Sequence, residues 1–94
     1  MQMICDNPPR VGQRFRVSVF TNHRPVTIDL FIDQQQLRHK ECPDPPCHEE
    51  LYVGAHLKDR ELIVIAHDGK DTEELKFRIK DQDTDLVSNN MATA

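Results

Sequence analysis

Cys42-Pro43-Asp44-Pro45-Pro46-Cys47, with His48 beside it and His39 three residues ahead of Cys42, is the window of this chain whose residue types and spacing offer chemistry. Two thiols closing a four-residue loop can be oxidised to a disulfide. Pro43, Pro45 and Pro46 hold the loop to turn-compatible conformations, in which the two Cα atoms come within the roughly 4.4–6.8 Å that the bond requires. The same window read as soft ligands supplies two thiolates and two imidazoles, the donor set of a tetrahedral zinc site. Its spacing suits zinc poorly. Cys-x4-Cys is at the outer limit of the usual ligand loop, and the prolines remove backbone N–H groups that would otherwise bond to metal-bound sulfur. A disulfide-pinned turn through Cys42 and Cys47 is therefore the expectation, and zinc held by Cys42, Cys47, His48 and His39 is the alternative. Cys5 makes the cysteine set odd, so a bond from Cys5 to either of the other two also stays open. A loop this short removes little unfolded-state entropy, so the bond should stabilise by less than the roughly 3 kcal/mol of a 15-residue loop and act mainly as a local stiffener.

Other groups invite chemistry less. Alternate carboxylates at Asp81, Asp83 and Asp85, with Asp68, Asp71 and Glu73 nearby in sequence, offer oxygens to calcium, but the Gly and distal Glu of an EF-hand loop are missing. The bland reading is a solvated acidic segment. His23, His56 and His67 fall at separate turns or strand ends and show no ligand spacing. Ser18 and Ser88 are the only serines, and neither lies in a nucleophile-elbow context. Three glycines make no phosphate-cradling loop. The expectation is a non-enzyme with no cofactor and no metal.

Charge narrows the partners. The formal net charge is −4, but three of the 16 acidic residues and none of the 12 basic ones fall in the last 14 positions, so the body of the chain is close to neutral. A neutral body with one Tyr and no Trp lacks the basic footprint and stacking platform of a nucleic-acid binder. The longest apolar run is Leu62-Ile63-Val64-Ile65-Ala66, far short of a membrane span. Met1-Gln2-Met3-Ile4 does not resemble the start of a signal peptide, although a mature domain cut from a longer precursor would read the same way.

These groups need elements to position them, and with hydrophobic residues at 37% of 94 the core must come from the few segments that have a period. Val26, Ile28, Leu30 and Ile32 alternate with Thr27, Asp29, Phe31 and Asp33, the cleanest strand in the chain. Phe15, Val17 and Val19 alternate between Gln13 and Thr21, and Leu75, Phe77 and Ile79 between Glu74 and Lys80. Met3 to Cys5 allows a short strand. Glu61 to His67 reads as a buried central strand, and Leu30 and Val64 should face inward from neighbouring strands. Gln36 to Glu41 is polar, with Leu37 its main apolar residue, and belongs at a sheet edge. Leu51 and Val53 mark a strand from His48 to Val53, followed by an irregular loop from Gly54 to Arg60. Asn22-His23-Arg24-Pro25, Asp33-Gln34-Gln35 and Asp68-Gly69 are the turns. Six or seven short strands in about 80 residues indicate an all-β sandwich or small barrel over residues 1–80. Residues 81–94 read as a flexible, disordered acidic tail or linker.

The pattern resembles the bacterial immunoglobulin-like domains of surface and secreted proteins. The residues that carry the likeness are Pro9-x-x-Gly12 ahead of the first long strand, Pro25 to Asp33, Cys42 to Cys47, and Leu62 to Gly69. Gln34 departs from it, standing where those domains place Gly. The resemblance implies an immunoglobulin-like β-sandwich of six to seven antiparallel strands, serving as a spacer or adhesion module with no catalytic residues. Its compartment would be extracellular or periplasmic, or cytoplasmic if Cys42 and Cys47 are reduced. The expected function is protein interaction through a sheet edge or loops. Arg38, Lys40, Pro45 and Pro46 are the interaction surface, and the partner is an acidic protein or a second copy, with residues 81–94 dispensable.

Overall fold

Strict alternation decides the architecture, because a strand that is apolar at every second position can bury one face only. A computed structural model describes residues 1–5 and 8–81; the expected flexible tail beyond Asp81 lies outside the described residues. Seven strands form there: β1 (Gln2–Cys5), β2 (Arg14–Phe20), β3 (Val26–Ile32), β4 (Gln35–Cys42), β5 (Cys47–Tyr52), β6 (Glu61–His67) and β7 (Thr72–Arg78). They make two antiparallel sheets, one ordered β1-β2-β5 and the other β4-β3-β6-β7. The all-β sandwich read from the sequence is thus the fold.

The interior is the set of positions the period picked out. Phe15, Val17, Val19, Cys47 and Leu51 face it from the smaller sheet, and Val26, Ile28, Leu30, Ile32, Leu62, Val64 and Ala66 from the larger. Leu30 lies opposite Val64 in the β3–β6 ladder and both are fully buried, as expected. Leu57 joins this core from a single 3₁₀ turn, Ala55–Leu57, inside the loop that the sequence left irregular.

Two corners needed long-range partners. The β3–β4 reversal is a two-residue turn with positive φ at both Asp33 (49°) and Gln34 (73°), a conformation that normally selects Gly. Asp33 offsets that cost. Its carboxylate accepts from Arg60 Nε (2.6 Å) and from the Glu61 backbone N–H (3.2 Å), and its own N–H donates to the Glu61 carbonyl (3.1 Å). These bonds hold the Asp33 carboxyl below its ordinary pKa, the Arg60 hydrogen bond contributing most.

The second corner is the expected pinned turn, set between the two sheets. Cys42 ends β4 in the larger sheet and Cys47 begins β5 in the smaller, so the proline loop is a crossover between sheets. Cys42 lies opposite inward-facing Val26 and Cys47 opposite inward-facing Val19, which turns both sulfurs toward the interior. The sulfurs are at disulfide distance and the Cα atoms are 5.7 Å apart, against about 10 Å between stacked sheets. The two sheet edges converge there. Arg24, in the β2–β3 turn, pairs with Asp44 of the same loop at 2.5 Å.

Candidate functional site

From the Cys42–Cys47 corner, β4 leads back toward Gln35 and β5 forward toward Tyr52, each at the edge of its own sheet. Between them the side of the sandwich stays open because of what β4 carries. Side chains of β4 opposite Ile28 and Leu30 point to the inner face, and those side chains are Lys40 and Arg38. Charged groups there cannot close over an apolar interior. The result is a groove. Near the corner it is a hollow of about 440 Å³ lined by Arg16, Lys40, His48, Glu49 and Glu50. Farther along is one of about 300 Å³ lined by Leu37, Arg38, Leu51, Tyr52, His56 and Leu57. A smaller hollow of about 180 Å³ shares Leu37, His56 and Leu57 with it and adds Ile32, Gln35 and Arg60.

Leu37 enters the groove through a break in the ladder. Leu30 lies opposite Arg38 but Phe31 lies opposite Gln36, so Leu37 is an extra residue, a β-bulge. A bulge aims two consecutive side chains to one side, and Leu37 and Arg38 both line the 300 Å³ hollow. Simple alternation would send Leu37 to the opposite face from Arg38.

The electrostatics also mark this strand, although Lys70 and Lys80 elsewhere likewise have no ion pair among the described residues. Arg14 and Arg16 reach Glu50, Arg24 reaches Asp44, Lys58 reaches Asp81, Arg60 reaches Asp33 and Lys76 reaches Glu74. Arg38 and Lys40, both exposed, have no ion-pair partner among the described residues. Glu49 lines the same hollow as Lys40 from the β5 side. It is turned onto its own strand, where its Oε1 accepts the Glu50 backbone N–H at 2.9 Å.

The other residues marked in the sequence fall elsewhere. Pro45 and Pro46 line a hollow of about 530 Å³ with Met1, Gln2, Phe20, Thr21, Asn22 and His23, apart from the hollows lined by Arg38 and Lys40. The alternative zinc set is not assembled. Cys42 and Cys47 face each other, His48 is on the outer face of the smaller sheet against Ser18 (2.8 Å), and His39 is on the outer face of the larger sheet against Asp29. Strand alternation separates them: Cys47 and His48 are consecutive in β5 and must point opposite ways. No cluster of three potential metal ligands occurs among the described residues. For the calcium reading, Asp83 and Asp85 lie outside the described residues, and Asp68 is committed to the protein. Its carboxylate, fully buried, accepts from Thr21 Oγ1 (2.6 Å) and from the N–H groups of Asp71 (2.7 Å) and Lys70 (3.0 Å). The Thr21 hydroxyl, then the Asp71 N–H, holds its pKa far below the ordinary carboxylate range against the opposing effect of desolvation. Asp68 thereby ties the β6–β7 turn to the end of β2.

Sequence reasoning missed the Ser18–His48 contact, which arises only because β2 and β5 are neighbours with Ser18 opposite His48. The pair sits on an open sheet face, with Phe20 edge-on to the imidazole at 6.1 Å. No carboxylate orients the second ring nitrogen among the described residues, so the pair lacks the third group of a nucleophilic triad. Tyr52 and His56 of the groove were missed as well, for the same reason: their place depends on which sheet edge β5 forms. In comparisons with known proteins, the chain matches no family model, no curated protein and no solved structure.

Proposed function

We propose that this chain is a non-catalytic protein-interaction module, an immunoglobulin-like sandwich that binds an extended acidic segment of another protein along the free edge of β4. The observation that carries the reading is the pair of uncompensated cations, Arg38 and Lys40, on an edge strand of eight residues that pairs only with β3. A free strand edge offers main-chain donors and acceptors to a partner strand, and side chains beside it select which strand is accepted. The cations also decide between partner classes. Two copies of β4 joined antiparallel about His39 would set Arg38 opposite Lys40, and like charges directly opposite are destabilising. The same cations attract carboxylates, so an acidic partner is favoured over a second copy.

Support for the immunoglobulin-like assignment is the split of seven antiparallel strands into sheets of three and four. Constant-type immunoglobulin domains place the fourth strand with the first, second and fifth; here β4 stays with β3, which leaves it an edge. Cys42 and Cys47 at disulfide distance across the crossover support an exported or surface protein in an oxidising compartment.

The test is binding of a fluorescent peptide of alternating Thr and Glu to the full chain, to a chain ending at Asp81, and to the Arg38→Glu/Lys40→Glu double variant. The reading predicts binding that weakens as salt rises, persists without residues 82–94 and is lost in the double variant. Binding that vanishes with the tail and survives the charge reversal would contradict it.

A further inference from the structure

We infer that the hollow opened by the Leu37 bulge is a specificity pocket, which takes an apolar side chain of the acidic strand and fixes its register on β4. The inference rests on the edge-binding reading above and adds to it the sequence class of the partner: an apolar residue with a carboxylate two positions away.

Leu37 and Tyr52 are 48% and 62% exposed, two of four large hydrophobic side chains left at the surface among the described residues, and both line this one hollow. Beneath them Leu51 and Leu57 are each 4% exposed and supply an apolar floor. An aromatic ring, an isolated Leu and a Leu-lined floor form the kind of site in which a partner's apolar anchor is desolvated. The bulge creates it. With regular alternation Leu37 would point to the outer face, and the inner side of β4 would present only Gln36, Arg38, Lys40 and Cys42.

Geometry then sets the spacing. A strand added to β4 places every second side chain over the groove. If one of these occupies the hollow beside Leu37 and Arg38, the next inward side chain toward the Cys42 end, two positions away, lies opposite Lys40. Neither cation has a carboxylate partner among the described residues, so a Glu or Asp at that position supplies the missing charge. The committed occupant is therefore an extended acidic segment of another protein, with an apolar residue and a carboxylate at i and i+2 in either direction.

The experiment uses the full chain and two peptides, one of alternating Thr and Glu and one in which a single Glu is replaced by Leu so that Leu and the next Glu are two apart. The Leu peptide should bind about tenfold tighter, the gain from burying one such side chain. Leu37→Ser, at an exposed position, should erase that difference, read as the ratio of the two peptides' affinities for the same variant. Tyr52→Ala provides a second, independent variant with the same expected outcome, and the circular dichroism spectrum of each variant checks its fold. Equal binding of the two peptides by the wild type, or a Leu advantage that survives both substitutions, would overturn the pocket while leaving edge binding intact. Binding of neither peptide, or binding of both that survives Arg38→Glu/Lys40→Glu, would overturn the edge reading and the pocket with it.

Discussion

The larger sheet has two edges, and they treat the interior differently. On β7, the inward positions hold Leu75 and Phe77, which pack against the core; Phe77 meets Phe15 edge-on across the sheets at 5.3 Å. The chain then folds over the end of that strand, with Ile79 N–H bonded to the Arg60 carbonyl and Lys80 N–H to the Pro9 carbonyl. The cations of β7 are used internally, Lys76 with Glu74 and Arg78 with the Asp59 carbonyl. On β4, the equivalent inward positions hold Arg38 and Lys40, no second sheet closes over them, and seven of the strand's eight residues are exposed. One side of the sandwich is sealed by its own hydrophobic side chains. The other is held open by charge and pinned at one end by the Cys42–Cys47 contact, and an open edge with unspent cations is where a partner gains most.

Substitutions should separate the two sides by stability. Leu30→Ala, in the interior common to both, should cost about 2–4 kcal/mol. A melting temperature unchanged by it would mean that the β3 register is wrong. Phe77→Ala on the sealed side should cost about 2 kcal/mol, less than a fully buried Phe because Phe77 is only partly covered. Replacing Cys42 and Cys47 by Ser should cost about 2 kcal/mol, the loop-closure value for so short a loop, and urea unfolding of the oxidised and double-Ser chains would measure it. Leu37→Ser on the open side should stay within about 0.5 kcal/mol. If Leu37 proved as costly as Phe77, the two edges would be equally structural and the contrast would fail.

A pH titration sharpens the comparison from another direction. Asp68 and Asp33 have folded-state pKa values below their ordinary ones. The folded chain therefore binds fewer protons at these sites than the unfolded chain in mildly acidic solution. Their stabilisation is present above the ordinary carboxylate value, near 4, and is lost as pH falls through the folded values. Asp68→Asn should lower the melting temperature at neutral pH and flatten its fall in acid. An unaltered acid limb in that variant would show that the Thr21–Asp68 link does not couple β2 to the β6–β7 turn.

The sealed side was legible in the sequence because alternation alone predicts that Leu75, Phe77 and Ile79 share a face with a core to cover. The identity of β4 as a polar edge was legible too, from the scarcity of apolar residues between Gln36 and Glu41. What alternation does not encode is which sheet a strand joins. The proline loop is a turn in the sequence whether it joins strands of one sheet or of two, and the pairing of Cys42 with Val26 and of Cys47 with Val19 shows that it joins two. The bulge at Leu37 was invisible for a related reason: one inserted residue shifts the period without any Gly to mark it. Asp33 could occupy a turn that favours Gly because Arg60, 27 residues away, holds its carboxylate.

Hydrogen exchange of backbone amides, measured with and without the Leu-bearing acidic peptide, tests the asymmetry of the two edges most directly, because an added strand must protect the N–H groups it pairs with. The predicted result is new protection on β4 between Gln36 and Glu41, with β7 unchanged from Thr72 to Arg78. Protection on β7, or on the outer sheet faces with none on β4, would contradict the claim that the open edge is the binding edge.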